Sequence, residues 1–69
     1  MTSDEARQLK VGDKVRWTSP SGVMRKQGTL GKVTWTSPTE LAIKWRGGDE
    51  LGYDIYRPQH ALEHVERAN

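Results

Sequence analysis

Sixty-nine residues with a formal net charge of +2, one third of them hydrophobic, make a single small domain with a limited core. The chain has no cysteine, which excludes disulfides and thiolate zinc sites as supports, so compact barrel closure and self-association are the expected aids. No apolar run is long enough to span a membrane, and the polar start MTSDEARQLK lacks a signal peptide's apolar segment, so the expected location is the cytoplasm.

The charge is unevenly spread. Residues 7 to 46 carry Arg7, Lys10, Lys14, Arg16, Arg25, Lys26, Lys32, Lys44 and Arg46 against Asp13 and Glu40. Residues 47 to 69 carry Asp49, Glu50, Asp54, Glu63 and Glu66 against Arg57 and Arg67. Such a split suits an encounter with a polyanion or an acidic partner, although a small barrel also places charges at its outward positions for solubility alone.

In chain order, Thr2 and Glu5 have the spacing of a capping box. A helix this short is marginal without packing, so residues 1–9 are expected to be a flexible segment preceding a barrel domain over 10–69. From Val11 onward the apolar period is two, the signature of strands. Val15 and Trp17 share one face; Leu41, Ile43 and Trp45 share another; Leu51, Tyr53 and Ile55 a third. Turn chemistry separates these runs at Ser19-Pro20-Ser21-Gly22, Ser37-Pro38-Thr39 and Arg46-Gly47-Gly48-Asp49.

The hexapeptide VRWTSP (Val15 to Pro20) returns as VTWTSP (Val33 to Pro38). An 18-residue step holds only one strand and its turn and does not occur a third time, so this is a strand-ending device used twice and not a solenoid repeat. Leu30 is out of parity with Val33 and Trp35. A bulge at Gly31-Lys32 would bring all three to one side and make Trp35 a structural residue.

After Tyr56, Arg57-Pro58 ends a strand, and Leu62 with Val65 fits a one-turn helix before a final strand. The expected strands are about 12–18, 25–36, 40–46, 51–57 and 63–66. Five short antiparallel strands with a one-turn helix before the last describe an all-β, SH3-like barrel.

Enzymatic motifs are scarce. The serines of the Pro-flanked turns have no histidine near them in sequence. His60 and His64 have the four-residue spacing of metal ligands, but no third ligand stands out, so no metal site is assigned. Gly47-Gly48 falls between strands and reads as a hairpin, not a phosphate cradle. The aromatics say more. A barrel this small holds one or two large rings, so at least one Trp should be partly exposed. Beside cations, that ring offers a surface for stacking on a base or a partner side chain. The expected partner surface is Arg16, Trp17, Arg25, Lys26, Lys32, Lys44 and Trp45, with Tyr53 and Tyr56 from the neighbouring strand. On this reading the chain is a non-catalytic module that binds protein or nucleic acid.

Gly12-Asp13-Lys14-Val15-Arg16, Gln27-Gly28, Ile55-Tyr56 and Ala61-Leu62-Glu63 agree in order and spacing with another group. Over about four-fifths of its length the chain resembles the type II, plasmid-borne dihydrofolate reductases. The resemblance implies an SH3-like barrel, a homotetramer around one central pore, NADPH as cofactor and dihydrofolate as substrate. It also implies ligand-binding roles for the positions of Trp17, Asp54, Ile55 and Tyr56. Two of these depart from the family pattern: Asp54 stands where the family has glutamine, and Trp17 where it has lysine. A looser likeness extends to Tudor-like and ribosomal-type nucleic-acid barrels and to the small basic subunits that dock ferredoxin on photosynthetic complexes.

Overall fold

A computed structural model of the chain describes residues 1–22, 25–47, 54–57 and 62–68. Alternation of β-branched or aromatic residues with charged ones produces five strands: β1 (Lys14–Trp17), β2 (Leu30–Thr36), β3 (Leu41–Trp45), β4 (Asp54–Tyr56) and β5 (Val65–Arg67). They form one antiparallel sheet in the order β4-β3-β2-β1-β5, which curls into a half-barrel. This is the small all-β barrel expected from the period-two pattern. β2 starts at Leu30, later than the expected 25, because Arg25 to Thr29 make a turn in which the Thr29 amide and hydroxyl both donate to the Lys26 carbonyl. The expected helical turn lies partly outside the described residues. Its described end is a turn closed by the Val65 amide donating to the Leu62 carbonyl at 3.3 Å.

The inward positions make the core. Val15, Val33, Leu41 and Ile43 are fully buried, and Trp17, Trp45, Leu62 and Val65 pack with them. Gly31 makes this packing possible. A Cβ at that position would lie 2.7 Å from Trp45 Cε3 and 2.9 Å from Ile43 Cγ2, so only glycine lets the indole cross β2.

The N-terminal segment holds a short helix. The capping box forms, with the Glu5 amide donating to Thr2 Oγ1 and the Thr2 amide to Glu5 Oε1, and it starts α1 (Ser3–Arg7). Ala6 and Leu9 then join the hydrophobic core. The Met1 nitrogen donates to the carbonyls of Leu62 and Val65, tying the helix to the approach of β5. Tertiary burial of Ala6 and Leu9 stabilises a helix too short to persist alone.

The bulge also sits elsewhere than expected. Val33 pairs with Ile43 while Trp35 pairs with Ala42, so the extra residue is Thr34 and not Gly31-Lys32. Gly31 and Val33 face inward, and Leu30 is only half-buried. Beyond the bulge the parity of β2 inverts, and Trp35 joins the outward row of Ala42.

Candidate functional site

Two clusters combine tryptophan with cations, one inside the curl and one outside. The inner cluster is built on Arg25, from the β1–β2 connection. Its guanidinium carbon lies 4.4 Å from the Trp17 ring centroid and 4.7 Å from that of Trp45, and the two indoles meet at 80° with centroids 5.7 Å apart. Arg25 Nη2 donates to Asp54 Oδ2 on β4, and the same oxygen accepts from the Tyr56 hydroxyl at 3.1 Å. Trp45 Nε1 in turn donates to Tyr56 Oη at 3.3 Å. Arg25 Nη1 and Trp17 Nε1 are buried without acceptors among the described residues, so ring faces rather than hydrogen bonds hold that side of the guanidinium. His64 also lies against Trp17, the rings tilted at 58° with centroids 5.5 Å apart. Burial raises the Tyr56 hydroxyl above its usual titration range. The indole hydrogen bond works against that shift, and the Asp54 charge adds to it.

This cluster is internally satisfied in charge. The Arg25 side chain is 13% exposed and already has its carboxylate, so the group sets the position of the β1–β2 connection and of β4. It presents neither a free cation nor a free anion.

The outer cluster is a row. Lys14 on β1 pairs across the sheet with Lys32 on β2, and Lys32 pairs with Lys44 on β3. All three side chains are exposed on the outward face, at a strand separation of about 5 Å. Arg46 follows β3, its amide donating to the Leu30 carbonyl. Lys14, Lys32, Lys44 and Arg46, with Leu30, Thr34 and part of the largely buried Trp45, line a groove of about 410 Å³. None of the four cations takes part in an ion pair among the described residues, where the pairs are Arg7–Asp4, Arg16–Glu66, Arg25–Asp54 and Arg67–Asp13. Like charges directly opposite one another across a sheet are destabilising. Beside this row, Trp35 (47% exposed) and Ile55 (53%) flank Ala42, which is outward in register yet buried.

The residues expected to form one partner surface are therefore divided. Lys32 and Lys44 lie on the outward face, and Arg16 lies there too but is paired with Glu66 at 2.9 Å. Lys26 is exposed in the connection before β2. Trp17 and Trp45 are buried, and Arg25 is held between them, because the inward parity of β1 and β3 carries both rings into the curl. Tyr53, and His60 of the histidine pair, lie outside the described residues. Sequence reasoning passed over Lys14, Arg46, Thr34 and Trp35. Lys14 and Lys44 each neighbour an inward residue in an alternating run, which marks them as outward, but only the register aligns them.

The four positions that a reductase-like reading assigns to ligands do not form one presented surface. Trp17 is buried, Asp54 and Tyr56 are bonded to one another within the Arg25 cluster, and Ile55 points to the outer face. The described residues include neither a group of three or more potential metal ligands nor a helix long and apolar enough to cross a membrane. No protein-family model, curated protein or solved structure matches the chain.

Proposed function

We propose that this protein is a binding module for nucleic acid, which it engages through the outward face of β1, β2 and β3. The in-register row Lys14–Lys32–Lys44 carries the reading, joined by Arg46 at the end of β3. Each lysine repels its neighbour and none has an acid to offset it among the described residues, so the face gains from a polyanion laid across it. Phosphate groups supply that charge at regular intervals and release condensed counterions when they are neutralised.

The test is a salt titration of binding to a labelled oligonucleotide, followed by fluorescence anisotropy. Three to four phosphate contacts predict a slope of log K against log salt of about −3. Lys32→Ala, at the centre of the row, should weaken binding to every sequence alike and make the slope shallower by about one unit. Absence of binding at low salt would remove the proposal. If NADPH and dihydrofolate were instead turned over by a tetramer, the reductase-like reading would take its place.

A further inference from the structure

We infer that the nucleic acid taken by this face is single-stranded, and that an unpaired base stacks on Trp35. The inference rests on the proposed nucleic-acid reading and adds the strand state and the residue that selects it. The bulge at Thr34 is its starting point. Without that extra residue, Trp35 would continue the inward parity of Gly31 and Val33 and enter the core with Trp17 and Trp45. The bulge turns it outward, opposite Ala42 on β3, and leaves the residue 47% exposed. Two residues farther along β3 on the same face is Lys44, about 7 Å away at ordinary strand rise. Ile55 pairs with Ala42 from the other side, so the cation row is bordered by an apolar strip of Trp35, Ala42 and Ile55.

Charge next to an exposed ring discriminates between strand states. A duplex presents phosphates to the lysines, but its base faces are already stacked on one another. A single strand offers the same phosphates and a free π-face for each base, and aromatic stacking is tolerant of sequence. Trp35 and Lys44 are diagonal neighbours across β2 and β3, roughly 7–8 Å apart, so one nucleotide can meet Lys44 with its phosphate and Trp35 with its base. Trp17 and Trp45 cannot play this part because both are buried and Arg25 already covers a face of each ring.

The experiment compares a fluorescein-labelled oligothymidine of roughly a dozen nucleotides with its duplex at low salt, using the intact protein, Trp35→Ala, Trp35→Phe and Lys32→Ala. The expected result is tighter binding of the single strand by the intact protein, with quenching of tryptophan emission. Trp35→Ala should lose about tenfold in single-strand affinity with its salt slope unchanged, and Trp35→Phe should recover much of that loss. Circular dichroism of both variants separates lost stacking from lost folding, and Trp35→Phe keeps the test open should the alanine variant unfold. Equal affinity for single strand and duplex, with Trp35→Ala binding like the intact protein while Lys32→Ala weakens both, would overturn the stacking inference and leave the cationic face standing. Binding of neither form would overturn both.

Discussion

The inner and outer clusters use the same two ingredients, tryptophan rings and cations, to opposite ends. Inside, Arg25 sits in the angle between the perpendicular rings of Trp17 and Trp45 and is neutralised by Asp54, whose oxygen also accepts from the Tyr56 hydroxyl. Outside, Lys14, Lys32 and Lys44 stand in a row without carboxylate partners among the described residues, next to the exposed ring of Trp35. Pairing of the charge separates the two. A cation with its anion and its ring faces already in place contributes to folding, whereas a row of like charges leaves its attraction available to another molecule. Substitutions in the two clusters should therefore dissociate: inner ones alter stability with little effect on binding, and outer ones the reverse.

The largest effect is expected at Arg25. Arg25→Ala removes two cation–π contacts and leaves Asp54 without its counter-charge, which should cost about 2–3 kcal/mol in urea unfolding, less than a fully buried pair because the Asp54 side chain is over one third exposed. Oligonucleotide affinity per folded molecule should stay within twofold. A large loss of affinity at full folding would place Arg25 in the binding face and erase the distinction. Next comes Gly31→Ala, whose new methyl meets Trp45 and Ile43 at 2.7–2.9 Å. Overpacking of that kind costs about 1–3 kcal/mol, and displacement of Trp45 should change the near-ultraviolet circular dichroism. Lys32→Ala, by contrast, should alter stability by less than about 0.5 kcal/mol.

A smaller effect belongs to alkaline pH. The Tyr56 hydroxyl titrates higher in the folded state than in the unfolded chain, chiefly through burial. Above the unfolded tyrosine value of about 10, the folded state thus holds more protons, and stability must fall as pH rises through that window. Melting temperatures followed from pH 8 upward should decline, and Tyr56→Phe should flatten the decline. An unchanged slope in the variant would assign the alkaline transition to other groups.

How much of this was legible in the sequence differs from element to element. Alternation in Lys14-Val15-Arg16-Trp17 and Leu41-Ala42-Ile43-Lys44-Trp45 places Val15, Ile43 and their neighbours on the inner face, and the structure buries them. The Thr2–Glu5 capping box was equally plain. The two copies of the Trp-Thr-Ser-Pro ending were misleading. Trp17, expected on the partner surface, is buried, while Trp35, expected to be structural, is the exposed one. Identical local sequence met different partners: β1 runs regularly between β2 and β5, whereas β2 is bulged against β3.

By itself, then, the sequence determined the strand content, the alternation of β1 and β3 and the excess of basic charge over its first two thirds. All of these follow from local alternation and composition. Only the tertiary structure decided which cations stand together. Register is a property of two strands at once, so Lys14, Lys32 and Lys44 become one row through pairings between segments distant in sequence. The bulge belongs to the same level. One extra residue against the facing strand reverses the side on which Trp35 emerges, and no pattern within β2 alone distinguishes Thr34 from Gly31 as its place. Arg25 is caged for the same reason, since its two rings and its carboxylate come from three different strands.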